Sequence, residues 1–212
     1  MVQKPAAQQQ QDDAPDTSDV VMLRKRPAAV AEPPRRFETY AATKPGTIKR
    51  CFHGTRSACD LSRIEQTAEL KPCGKSHCAA CNICKTGFSV NLAKPTGTFG
   101  QGTYFTENLA KSQGFGCQAR GPRGRPSDMS YLVLVCDVVA GRTCADAAQH
   151  VRALPAGYDS IGRTVGKTYM MHGAARFSGV RAEAARLATL MEELVVYRDD
   201  ASVPRYLVLY TI

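Results

Sequence analysis

The sequence predicts an α+β domain, and three observations carry that expectation. Residues 131–139 (YLVLVCDVV) form a near-continuous apolar, β-branched run. Several shorter strand-like segments are parted by irregular loops rich in Gly and Pro. Only a few short stretches have helical composition. A run with no polar alternation suits a central strand covered on both faces, and Gly141 ends it. The 212-residue chain is long enough for one such domain of roughly 100–200 residues plus a tail.

The tail is expected at residues 1–36. It carries the Gln run 8–11, the acidic Asp12, Asp13 and Asp16, and a Pro/Ala-rich stretch, with too few bulky apolar groups to repay the entropy of ordering. From Phe37 the composition changes, and 37–212 is expected to be the folded domain. Residues 49–53 (KRCFH) read as a short strand leading into the turn Gly54-Thr55, and 61–70 as a short helix. The Cys/Gly/Lys segment 71–87 is too polar and irregular to hold regular structure unaided. Residues 97–102 (GTFGQG) form a loop ahead of Thr103-Tyr104-Phe105, and 107–112 suit a helical turn capped by Asn108 or Thr106. Residues 181–191 have helical composition. Two last strands, 194–197 and 206–210, are separated by a turn at Asp199-Asp200, so a hairpin or near-hairpin is expected to end the fold.

The net charge is +9, densest at Arg24-Lys25-Arg26, at Arg35-Arg36 and over residues 120–125. A solvated surface is the bland reading of that charge; a phosphate-bearing partner, either a dinucleotide or nucleic acid, is the alternative. No run of about 18 apolar residues is present, so no membrane partner is expected. The first thirty residues hold Gln, Asp and Pro where an export signal needs an apolar core, which predicts an intracellular setting, cytoplasmic or nuclear, with Arg24-Lys25-Arg26-Pro27 as a candidate import signal. Nine cysteines are unusual in such a chain, and six of them, Cys51, Cys59, Cys73, Cys78, Cys81 and Cys84, share one window. Cytosolic disulfides are seldom structural, so a metal is the better reading of the cluster.

Three segments concentrate chemistry. His53-Gly54-Thr55 follows a strand. Residues 100–106 (GQGTYFT) are followed by Lys111-Ser112 and Phe115. Glu193 stands ahead of an apolar strand that would draw its carboxylate partly into the domain. Taken with residues 131–142, 154–163 and 203–210, these segments run in the order found in the catalytic domains of poly(ADP-ribose) polymerases and their mono-ADP-ribosylating relatives. The chain resembles that family over residues 47–212. The resemblance implies the ADP-ribosyltransferase fold, a split and mainly antiparallel β-sheet core with short helices, and NAD as co-substrate.

It also implies roles. Glu193, His53 and Tyr104 would form the catalytic triad, with Glu193 accepting a hydrogen bond from the nicotinamide ribose and stabilising the positive charge that develops there. His53 would bind the adenosine ribose, and the Gly54 backbone would pair with the nicotinamide carboxamide. Ser112 would donate to that carboxamide, Tyr104 and Phe115 would sandwich the ring, and Thr55 and Phe105 complete the expected NAD-binding set. Position 115 is Phe where many members have Tyr, which keeps the stacking and loses a hydroxyl. Loop 85–101 matches nothing that can be carried over.

The cysteine window, spaced Cys59-x13-Cys73-x4-Cys78-x2-Cys81-x2-Cys84, offers thiolates for a four-sulfur Zn²⁺ shell. Five cysteines compete for four places. Cys59, Cys73, Cys78 and Cys81 are the first choice, since Cys59 would tie the knuckle to the segment after the HGT turn. Cys84 in place of Cys59 is the alternative, with His77 a further candidate. Such a site has no open position and is expected to be structural, stapling an insertion at 59–84. The expected activity is NAD-dependent transfer of ADP-ribose, one unit at a time to a protein side chain, in preference to polymer synthesis. An NAD glycohydrolase using the same residues, or an inactive zinc- and nucleic-acid-binding module, are the competing readings.

Overall fold

In the computed structural model the described residues are 23–25, 35–58, 72–119, 129–145, 151–164 and 192–211. The apolar run is the heart of an eleven-residue strand, Met129–Val139. It is apolar at nearly every position because both its faces are covered. Leu132, Leu134, Cys136 and Val138 enter one cluster, whereas Val133 and Val135 enter another with Phe52, Leu109 and Val208.

In chain order the elements are β1 (Leu23–Lys25), α1 (Arg35–Ala42), β2 (Ile48–Gly54), α2 (Ala79–Thr86), β3 (Thr103–Phe105), α3 (Leu109–Gly116), β4 (Cys117–Ala119), β5 (Met129–Val139), β6 (Thr143–Cys144), β7 (Ser160–Thr164), β8 (Glu192–Val196) and β9 (Ser202–Thr211). They build two sheets. The first runs β1-β9-β5-β2, with β4 also pairing β5; the second runs β3-β8-β7-β6. Among the described strands all pairings are antiparallel except β6 with β7. An isolated bridge joins the sheets: Phe52 N–H donates to Thr106 O at 2.7 Å and Thr106 N–H to Phe52 O at 3.1 Å. The main core lies where α1 and α2 meet both sheets, through Phe37, Tyr40, Ala80, Cys84, Phe105, Leu194, Val196, Leu207 and Leu209. Among the described residues no helix is long and apolar enough to cross a membrane.

Three expectations change. Residues 71–87 are not irregular throughout, because α2 forms there. Its Ala80, Cys81 and Cys84 are buried, so cysteines serve as the apolar face, and Gly87 at φ 83° ends the helix by donating its N–H to Ile83 O. The last two strands are not a hairpin. A short 3-10 turn at Asp199–Ala201 reverses the chain, but β8 pairs with β3 and β7 whereas β9 pairs with β5 and β1. Leu23–Lys25, placed by the sequence in an unstructured tail, pairs with Leu207–Leu209 on β9. The helices expected at 61–70 and 181–191, and the basic stretch 120–125, lie outside the described residues.

Two polar anchors fix the frame. Asp137 on β5 accepts from Arg50 Nε of β2 and, at 2.6 Å, from Arg205 Nε of β9, tying three adjacent strands. Asp159, ahead of β7, accepts from Arg142 N–H (2.8 Å), Lys44 Nζ (3.0 Å) and the Tyr40 hydroxyl (3.3 Å), tying α1 to the turn after β5. Burial opposes ionisation of Asp159, yet those donors hold its carboxyl below the usual range.

Candidate active site and sulfur cluster

The bridge between Phe52 and Thr106 sets His53 beside Tyr104. His53 Nδ1 lies 2.8 Å from Tyr104 O. A carbonyl only accepts, so Nδ1 carries the proton and Nε2 is left as an acceptor. The ring packs edge-on to Phe88 (centroids 5.0 Å) and at a tilt to Phe105 (5.6 Å), and this burial lowers its pKa despite the bond to Tyr104 O. Phe105 is buried in the main core, so its ring backs His53 from behind. Phe88, from the loop that matched nothing, does the same, and no local signal in the sequence marked it.

Gly54 ends β2 against α3. A Cβ there would fall 1.9 Å from Ser112 O and 2.9 Å from Phe115 Cβ, so no side chain fits between strand and helix. Asn108 caps α3 as expected: its Oδ1 accepts from Ala110 N–H (2.9 Å) and Lys111 N–H (3.3 Å), while Thr106 Oγ1 accepts from Asn108 N–H. The helix carries three expected or newly evident site residues. Ser112 is buried and its hydroxyl donates to Leu109 O at 2.8 Å. Phe115 is 54% exposed beside Gly54. Lys111 is only 8% exposed, and its Nζ stands 2.7 Å from Glu193 Oε1. Thr55 is buried just beyond the turn.

Glu193 belongs to β8, where Val195 faces Tyr104 across the β3 pairing. Strand residues two apart share a face, so Glu193, Val195 and Tyr197 line the side on which Tyr104 packs. Burial raises the Tyr104 phenol, and the Glu193 charge pushes the same way. Its hydroxyl accepts from Phe99 N–H and donates to Gly100 O, both at 2.9 Å. The Tyr197 hydroxyl donates to Phe99 O at 2.7 Å. His53, Tyr104, Gly54, Ser112, Phe115 and Glu193 thus come from four elements, β2, β3, α3 and β8, at the junction of the sheets. Lys111 stands in a segment that the sequence marks and Tyr197 at the end of the expected strand 194–197, but nothing in the sequence assigns either a role.

Beyond the turn, the segment after Gly54 is gripped by sulfur. The Sγ atoms of Cys73, Cys78 and Cys81 lie within 4.8 Å of one another, a spacing that suits thiolates sharing one tetrahedral ion. Burial opposes ionisation of Cys78, but hydrogen bonds from Ser57, Ala58 N–H and Cys81 bring its thiol down to about 6. Ala80 N–H donates to Arg56 O and Lys75 Nζ to Ala58 O, so the cluster holds residues 56–58 by four contacts. Cys84 is buried in the main core and is not one of the three-sulfur group. Cys59 lies outside the described residues, and His77 is exposed.

A family model, the poly(ADP-ribose) polymerase catalytic domain, matches residues 35–212. The chain therefore belongs to that family, which is one of NAD-dependent ADP-ribosyltransferases. A search of curated proteins finds no match.

Proposed function

We propose that the protein binds NAD at the His53–Tyr104–Glu193 site and transfers one ADP-ribose unit to a protein side chain. The observation that carries this reading is the Phe52–Thr106 bridge, which sets an acceptor nitrogen on His53 and the Tyr104 ring together, one strand from the Glu193 carboxylate. NAD brings a good leaving group, a neutral nicotinamide, whose departure builds positive charge on the ribose. Glu193 offsets that charge and accepts a ribose hydroxyl, and Lys111 fixes the carboxylate's position. His53 Nε2 accepts from the adenosine ribose. Tyr104 and exposed Phe115 flank the nicotinamide, and the Gly54 backbone, with Thr55 after it, meets the carboxamide side. Ser112 turns its hydroxyl from Leu109 O to the carboxamide oxygen. Phe105 backs His53 from the core.

The same reading makes Cys73, Cys78 and Cys81, with Cys59 as fourth ligand, a closed zinc site. The ion's part is structural, holding residues 56–58 and through them the turn at Gly54.

Intact-mass spectrometry of the protein and a candidate acceptor after incubation with NAD tests the activity. A single ADP-ribosyl increment on protein is expected. A ladder would mean polymer synthesis, and free ADP-ribose with unmodified protein would mean a glycohydrolase. No turnover at all would leave a binding module.

A further inference from the structure

The loop 97–102 has no helix or strand of its own, yet its backbone is fastened at one residue from two sides. Phe99 N–H donates to the Tyr104 hydroxyl, and Phe99 O accepts from the Tyr197 hydroxyl. The Tyr104 hydroxyl donates a hydrogen bond to Gly100 O, and Gly100 N–H closes a turn onto Gly97 O at 3.0 Å. The turn therefore wraps the Tyr104 oxygen. A Cβ on Gly97 would stand 2.3 Å from that oxygen, and Gly100 sits at φ 77° with Arg152 O in the place of a Cβ. The Phe99 side chain is buried with Ile161 and Val195, so the residue is held by its ring as well. Burial raises both phenols, which remain proton donors throughout the neutral range.

We infer that Tyr197 is a positioning residue for the NAD site: its hydroxyl fixes the Phe99 backbone, which in turn fixes the tilt of the Tyr104 ring. Tyr197 itself meets no substrate. Tyr104 has its oxygen committed to loop backbone on both sides, so its ring plane is set by where that backbone lies. Of the bonds that set it, the one to Phe99 O comes from the residue that directly follows β8, the strand that carries Glu193. One strand thus places the carboxylate directly and the aromatic wall through the loop, which keeps the two in step. The effect on catalysis rests on the NAD reading above; the fastening of the loop does not.

The test is Tyr197→Phe, which keeps the ring packing and removes only the hydroxyl, alongside Tyr104→Phe and the double variant. Amide hydrogen exchange at Phe99 and Gly100 should quicken about 3- to 10-fold in Tyr197→Phe, in line with loss of one hydrogen bond. KM for NAD should rise by a similar factor, roughly 3- to 10-fold, with kcat within about twofold of the parent. The double variant should be little worse than Tyr104→Phe, since both act through the same backbone. Unchanged exchange, unchanged KM, or strictly additive effects would overturn the inference. A parent protein that consumes no NAD sinks the NAD reading instead, and the exchange rates then decide the fastening by themselves.

Discussion

Lys111 Nζ lies 2.7 Å from Glu193 Oε1, joining the first turn of α3 to the second residue of β8. A cation on the first turn of a helix opposes the helix's own field, and here it is also nearly buried. The Glu193 carboxylate offsets both costs. In return it is held at one point beside the Tyr104 ring rather than left free to rotate.

Glu193→Gln is therefore expected to cut NAD turnover by about 10²-fold or more. It should also destabilise the protein, by about 1–3 kcal/mol, because Lys111 keeps its charge. Lys111→Met should cost a similar amount and raise KM. Denaturant unfolding of the double variant should show less than the sum of the two single losses. Full additivity would mean that the pair is not coupled.

Gly54→Ala places a methyl group on the Ser112 carbonyl, which is backbone and cannot turn aside. The expected result is a loss of about 1–3 kcal/mol and a rise in KM for NAD, since α3 must shift with Ser112 and Phe115. Gly46→Ala is the control. Its Cβ meets nothing within 4 Å, though φ is 73°, so it should cost about 1 kcal/mol in backbone strain and leave KM unchanged.

His53 should give the site an acid limb. Burial lowers its folded pKa below the ordinary value of about 6.5, so the unfolded chain takes up the proton first. Stability from neutral His53 is complete above about pH 6.5 and is lost as pH falls through the lowered folded value. NAD affinity should fall in the same direction, because protonated Nε2 no longer accepts. Profiles of Tm and KM against pH should both bend on the acid side, and His53→Gln should flatten them. An unaltered profile in that variant would assign the limb to another group.

The thiols should separate into two kinds. Cys78→Ser is expected to lower bound zinc, measured by mass spectrometry of metals, and a strong chelator should lower the Tm of the parent protein. Cys84→Ala should leave zinc content unchanged while costing about 1 kcal/mol for a small core void. Cys51, whose thiol burial pushes up to about 12, should resist alkylation in the folded state. Zinc lost equally from the Cys78 and Cys84 variants would return Cys84 to the ligand set.

What could be read from the sequence follows from how local each cause is. β5 was legible because burial on both faces leaves a near-continuous apolar run, and the cap on α3 because Asn108 bonds within its own turn. The strand ending at His53 and the segment around Tyr104 were legible for the same reason. Lys111 was not. A lysine reads as surface, and its partner lies on a strand far along the chain. The helix α2 was hidden because its buried face includes two cysteines, Cys81 and Cys84, a residue type that also suits a metal site. Asp199 and Asp200 marked a reversal correctly, but a turn residue carries no information on which sheet the next strand joins. That choice is made by the faces of Leu194, Val196, Leu207 and Leu209, all of which enter the one core.

The split between β8 and β9 has a consequence for how the chain acquires its shape. β8 lies between β3 and β7, and β9 between β1 and β5, so residues 192–211 supply an inner strand to each sheet. During synthesis, β1, β3, β5 and β7 leave the ribosome before the strand that must sit next to them. Residues 131–139 are then exposed on the side where β9 belongs, and β3, among the described strands, has no neighbour. Neither sheet can close step by step from the N-terminus, so folding must wait for these last strands and proceed in one late event. A nascent chain stalled ahead of residue 192 should be held by chaperones and cleaved readily by protease, and release of twenty more residues should abolish both.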